Sequence, residues 1–200
     1  TYDSVRPVLD VDLYDIASIT KIISAAPIFM NLVDNRSIKL HRKLKNYTSI
    51  SSPYPDKKNI KIIDILTHQA RLFPWIPFWK SFQDNNELNE SIFSNSISSK
   101  YDVKIVENLY FNSSYLDTIQ DIILSYPLLD KKEYKYSDLG FYIMHPVVEK
   151  LLDSKIDKYV YENLYHPIDA YRIVYNPTDK FPLSSIIPTE NDTYFRNQLI

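Results

Sequence analysis

Apolar residues recur at a helical period from Ser18 to Asn35, at Ile22, Ala25, Ala26, Phe29, Leu32 and Val33. That spacing predicts a helix from near Ser18 to about Asn35. The stripe is wide, which predicts deep burial. Pro27 should kink the helix or remove one backbone bond. Asp15, Ser18 and Thr20 offer N-cap chemistry at its start. Upstream, alternation over Val8 to Leu13 predicts a short strand or edge in an extended segment. Residues 36 to 59 read as loop and turns, broken by Pro53 and Pro55. A compact amphipathic helix follows at Ile60 to His68, then an aromatic, proline-containing loop at Leu72 to Trp79. Residues 80 to 100 are polar and rich in Asn and Ser, which predicts a surface helix and a mobile loop. Val103 to Phe111 alternates like a strand. Helices are expected at Leu116 to Tyr126, Asp138 to Leu152 and Ile156 to Tyr165. The tail from Tyr171 carries Pro177, Pro182 and Pro188 and reads as irregular. No internal repeat occurs, and no linker marks a second domain.

Composition narrows the function classes. The 200 residues, 44% hydrophobic and 24% charged, suit one globular domain with a real core. Net charge is −2, from 23 basic and 25 acidic side chains, so no basic excess exists to hold a nucleic-acid backbone. No run of 18 apolar residues predicts a transmembrane segment. With no cysteine, disulfides, thiolate metal sites and cysteine nucleophiles are excluded. There is one glycine, Gly140, where average usage would give about 14. Phosphate-cradling loops, dinucleotide fingerprints and Gly-x-Ser-x-Gly elbows each need at least two. His41, His145 and His166 show no metal-ligand spacing, so neither a metal nor any other cofactor is expected. The chain begins at Thr1 without an initiator Met, and reads as a piece of a longer precursor.

One tetrad offers candidate chemistry, nucleophilic catalysis by serine. Ser18-Ile19-Thr20-Lys21 is a Ser-x-x-Lys tetrad. Residues three apart share a helix face, which sets the lysine nitrogen beside the serine oxygen. A serine in the first turn also sits at the positive end of the helix dipole, which favours an alkoxide or oxyanion. A lysine must be neutral to take the serine proton, and burial or positive potential favours that form. Ser and Lys are both abundant here, so the tetrad alone is weak. Its bland alternative is an N-cap serine and a solvent-facing lysine. His68 reads as a structural hydrogen-bonding residue. Trp75, Phe78 and Trp79 can line a cleft and stack on a sugar or acyl group, with core or lid packing as the alternative.

Three ordered segments carry a family resemblance. Tyr14-Asp15-Ile16-Ala17-Ser18-Ile19-Thr20-Lys21 resembles the nucleophile segment of the serine beta-lactamase and penicillin-binding-protein superfamily, closest to its class C and esterase-like branch. Ile62 to Leu72 resembles that branch's Leu-Leu-x-His-x-Ser-Gly-Leu helix. Tyr136-Ser137-Asp138 falls where the branch has Tyr-x-Asn. The resemblance implies an α+β, beta-lactamase/transpeptidase-like fold, represented over residues 1–200 mostly by its helical region, about 18–170. It also implies acyl transfer on peptidoglycan-type peptides, esters or beta-lactams. Ser18 would form the acyl-enzyme, and Lys21 and Tyr136 would share proton transfer. Asp138 would stand in for the orienting asparagine, with Trp75 beside the substrate. The Ser18 N–H would supply half of the oxyanion hole. A periplasmic or cell-envelope location follows from the same likeness. Tyr161 to Tyr165, Asn176-Pro177 and Pro188-Thr189-Glu190, with Trp75 to Phe78, are similar to a narrower group. These are Bacteroidetes modules fused behind a family-3 beta-N-acetylglucosaminidase, which implies a fused N-terminal glycosidase as partner.

The departures are specific. Arg71 stands at the family's glycine, where a positive φ would cost about 1 kcal/mol. Pro167-Ile168-Asp169-Ala170 replaces Pro-Leu-Gly-Met. Asp138 exchanges an amide for an acceptor-only carboxylate, and a carboxylate beside Lys21 would favour its charged form. No Lys-Thr-Gly or His-x-Gly tripeptide occurs, so the strand giving the second oxyanion donor and the C-terminal sheet strands are expected to be missing. The 200 residues alone are therefore expected to be inactive. The alternative is a degenerate, non-catalytic module that binds cell-wall material or packs on a glycosidase.

Overall fold

The computed structural model describes residues 6–48, 54–85 and 87–189, which leaves Pro53 and Glu190 outside. The α-helices among the described residues are α1 (Ala26–Asp34), α2 (Ile62–Leu66), α3 (Tyr115–Ser125), α4 (Leu139–Leu152) and α5 (Ile156–Val160). The strands are short: β1 (Gln83–Asp84), β2 (Glu87–Leu88), β3 (Phe93–Ser94), β4 (Val103–Val106) and β5 (Leu109–Phe111). The described residues divide into two compact units, residues 6–39 with 146–189, and residues 40–145.

In the first unit the predicted long helix is a composite. It opens as a 3₁₀ turn, Ala17–Ile19, continues as a π turn, Lys21–Ala25, and becomes α-helical only at Ala26. The proline accounts for the irregularity: Pro27 has no N–H to close an α-helical bond with residue 23. Burial is also shallower than the stripe implied. Ser24, Ile28, Phe29 and Leu32 are buried, but Ile22 and Met30 stay 70% and 71% exposed. The Val8 to Leu13 alternation yields no strand. Leu13 makes a single parallel bridge to Ile186, with Leu13 N–H donating to the Ser185 carbonyl at 2.8 Å and Ile187 N–H returning to Leu13 at 2.9 Å. After α5 a second π turn, Tyr161–Tyr165, brings in the buried Tyr165. The tail is irregular, as expected, and Asp169 takes the left-handed conformation (φ 58°), where the resembled Pro-Leu-Gly-Met turn has glycine.

In the second unit α2 is followed by a left-handed His68 (φ 56°), which ends the helix. Among the described residues of 80–100 no surface α-helix forms; only the end of a 3₁₀ helix, Phe78–Phe82, reaches into the stretch. Asn and Ser side chains bond their own backbone instead, as Asn89 does with the N–H and hydroxyl of Ser91, and the chain turns into β1–β2 and β3. The expected strand from 103 to 111 is a hairpin. Asn108 adopts φ 57° and folds β4 back on β5, giving a three-stranded antiparallel sheet in the order β3-β5-β4. Ile92, Phe93, Leu109 and Phe111 bury one side of it, with Phe82, Leu88 and Tyr115 packed against them. Gly140 sits early in α4, where an added Cβ would fall 2.6 Å from Ile65 Cγ2. The chain's one glycine therefore serves close helix packing rather than a turn. None of the nine positive-φ positions among the described residues is glycine.

Candidate active site

The first unit carries Ser18 and Lys21. Asp15 accepts the Ala17 N–H at 2.7 Å, and Ala17 itself sits at φ 44°. This bent start presents Ser18 exposed in the 3₁₀ turn. Lys21, half-buried, places Nζ 3.0 Å from Ser18 Oγ and donates to it. The tetrad thus makes the contact that its spacing implied, although Ser18 is not in the first turn of an α-helix. Behind it, the π turn closes with the Ala26 N–H on the Lys21 carbonyl.

The second unit carries Tyr136, Asp138 and Trp75. Two segments, 68–74 and 129–138, are tied together by a ladder of bonds. Leu129 N–H donates to the Arg71 carbonyl at 2.8 Å, and Arg71 Nε donates to the Leu129 carbonyl. Lys135 N–H donates to the His68 carbonyl at 2.8 Å. Ser137 N–H donates to His68 Nδ1 at 3.1 Å, and Ser137 Oγ donates to the Phe73 carbonyl at 2.5 Å. Asp138 N–H donates to the Pro74 carbonyl at 3.0 Å. The His68 ring stacks on Tyr136, with centroids 4.3 Å apart and planes 29° apart. Because Nδ1 accepts a backbone proton, the neutral imidazole carries its own proton on Nε2.

Asp138 heads α4: its carbonyl takes the Phe141 N–H at 3.0 Å, and its negative charge lies at the helix's positive end. Tyr136 is 40% exposed and Trp75 61% exposed, so neither is locked in a core. Arg71 has φ 62°, a conformation that the glycine of the resembled motif would adopt freely, and its side chain is part of the ladder. Sequence reasoning missed Ser137 and Arg71 as ties and saw His68 only as a structural residue. The one readable signal was a helix ending just before a position that elsewhere holds glycine. Among the described residues no group of three or more His, Asp or Glu is arranged to hold a metal ion, and no helix is long and apolar enough to cross a membrane.

The sequence profile of the family described as Beta-lactamase matches residues 3–185. An N-acetylmuramyl-L-alanine amidase of Bacillus subtilis is 23% identical over 173 residues, covering 84% of this chain and 34% of the relative. A Salmonella gallinarum protein, provisionally named D-alanyl-D-alanine carboxypeptidase, is 27% identical over 184 residues, covering 89% and 38%. The chain thus spans between about a third and two fifths of the length of these relatives. Among solved structures, a penicillin-binding protein from Bacillus halodurans superposes with a TM-score of 0.60 at 18% identity, covering 90% of this chain and 47% of that one. That likeness sets the fold as α+β, of the beta-lactamase/transpeptidase kind.

Proposed function

Because this chain belongs to the beta-lactamase family, a family of serine-hydrolase type, we propose that it carries the nucleophile of a serine hydrolase that works through an acyl-enzyme. The observation that supports this most is the 3.0 Å contact between Lys21 Nζ and the exposed Ser18 Oγ. In the proposed reaction, the neutral Lys21 amine accepts the Ser18 proton as Oγ attacks a carbonyl carbon. The C–O bond of the acyl-enzyme forms, and the leaving group departs with a proton. Tyr136 is proposed to share that proton traffic, with Asp138 and Trp75 as substrate-contacting groups. The substrates proposed are peptidoglycan-type peptides, esters or beta-lactams, by analogy with the names of the relatives. A cell-envelope location is proposed on the same ground.

Arg71, Asp138 and the missing glycines are the sequence arguments for a degenerate module. The bond from Arg71 to Leu129 gives the arginine a role in the ladder and removes much of the force of the first. Steady turnover by these 200 residues alone is not expected, since no Lys-Thr-Gly or His-x-Gly tripeptide is present and loss of one oxyanion donor costs about 10²–10³ in rate. The test is covalent labelling by a fluorescent penicillin of the protein made from the whole reading frame. Label on Ser18, lost in Ser18→Ala, supports the hydrolase. No label on the folded wild type supports a non-catalytic binding module instead.

A further inference from the structure

We infer that Tyr165 is a positioning residue for Lys21: its hydroxyl replaces the backbone donor that Pro27 lacks and holds the π turn that carries the lysine. This rests on the reading of Lys21 as the base of Ser18, and deepens it.

In an α-helix the carbonyl of residue 23 would take the N–H of residue 27. Residue 27 is proline and has none to give. Tyr165, 4% exposed, comes from 142 residues further along the chain and sets its hydroxyl 3.3 Å from the Ile23 carbonyl. The same hydroxyl lies 2.5 Å from Ser24 Oγ, which is also buried. A phenol has one proton, and a carbonyl can only accept. The chain of bonds therefore runs in one direction: Ser24 hydroxyl to Tyr165 oxygen, Tyr165 proton to Ile23 carbonyl. Burial holds the Tyr165 phenol above its ordinary pKa, only partly offset by the Ser24 bond, which favours the protonated, donating form.

The turn so held matters for Lys21. A π turn carries one residue more than an α turn, and one residue corresponds to about 100° of rotation. Ile28, Phe29 and Leu32 anchor the helix that follows. If the π turn relaxed, the segment preceding that anchor would swing around the axis, taking Lys21 with it. Ile23 is two residues from Lys21, inside the same turn, so a bond to its carbonyl acts where that slip would begin.

A purely structural tyrosine and a positioning one predict different patterns. Tyr165→Phe deletes the donor to Ile23 and keeps the ring. Ser24→Ala deletes a hydroxyl of the same chain but leaves the Tyr165 proton on Ile23. Pro27→Ala supplies an N–H of its own. In the full-length protein, labelling of Ser18 by a fluorescent penicillin should slow about tenfold in Tyr165→Phe and its pH midpoint should move. Ser24→Ala should stay within about threefold with an unmoved midpoint. Adding Pro27→Ala to Tyr165→Phe should recover most of the lost rate. Wild-type rate and midpoint in Tyr165→Phe, equal losses in Tyr165→Phe and Ser24→Ala, or no recovery in the double variant would each overturn the inference while leaving the hydrolase reading intact. A folded wild type that takes no label overturns both.

Discussion

The Ser18–Lys21 turn and the Tyr136 loop are built by opposite means. The proposed nucleophile pair is local: two side chains three residues apart meet at 3.0 Å on one turn. The tyrosine loop has no local regularity. It is held by bonds between segments 58 to 69 residues apart, from Arg71–Leu129 to His68–Ser137. Local geometry costs little chain entropy but leaves the turn open to slippage. A long-range ladder closes large loops, which is entropically costly, yet each rung then fixes the next. The comparison teaches that candidate reactive groups in one chain can be placed by helix periodicity or by tertiary ties, and that the two fail differently.

The sharpest way to break the contrast is Ser137→Ala. Ser137 is 5% exposed, and its hydroxyl both donates to the Phe73 carbonyl and accepts the Leu139 N–H. Removing it strands a buried N–H and a partly buried carbonyl and should cost about 2–3 kcal/mol, measured by urea unfolding. A cost below 0.5 kcal/mol, as for an ordinary surface change, would mean that the ladder does not hold the loop. Gly140→Ala comes next. The new Cβ must displace the Ile65 Cγ2 that lies 2.6 Å away, against a gain of about 1 kcal/mol in helix propensity. Overpacking of this kind costs about 1–3 kcal/mol, so a net loss of about 1 kcal/mol is expected. A stabilised variant would show that α4 can shift freely away from α2.

These two positions also show what was legible in advance. The Ser-x-x-Lys contact was readable because helix periodicity alone brings i and i+3 together. The helices near 62, 115, 139 and 156 were readable for the same reason. The ladder was not, since nothing local in Arg71 or Ser137 says that a carbonyl 58 or 64 residues away will be its partner. The hairpin at Asn108 was missed because alternation continues through it, and only asparagine's tolerance of φ > 0 marks the turn. The supposed surface helix at 80–100 failed for a related reason. Asn89 spends its side chain on a local turn that competes with helical bonds. Arg71 is the middle case. The missing glycine raised the question of a left-handed backbone there, which φ 62° answers, while nothing pointed to the use of its guanidinium.

A smaller effect tests whether the proline interruptions at Pro27 and in α4 are repaired by one device. In α4 Gln120 Nε2 donates to the Tyr142 carbonyl at 2.6 Å, the acceptor left without its helical partner by Pro146. Gln120→Ala should destabilise by about 1 kcal/mol. The loss should shrink by at least half when Pro146→Ala is added, since residue 146 then supplies its own N–H. Equal losses with and without Pro146→Ala, in thermal or urea unfolding, would show that glutamine and proline act independently.

The smallest effect bears most directly on the two regions. Ala17 and Arg71 both sit at positive φ, 44° and 62°, the first just before Ser18 and the second inside the ladder. A non-glycine residue there costs about 1 kcal/mol or more, and glycine relieves that cost while loosening the unfolded chain. At Ala17 nothing is lost with the methyl group, so Ala17→Gly should stabilise by up to about 1 kcal/mol. At Arg71 the same relief is set against the lost bond from Nε to Leu129, and Arg71→Gly should fall within about 0.5 kcal/mol of the wild type. A gain at Arg71 as large as that at Ala17 would show that the guanidinium bond adds nothing to stability. The backbone ties of the ladder would then suffice, and the arginine would be a tolerated replacement for glycine rather than a working one.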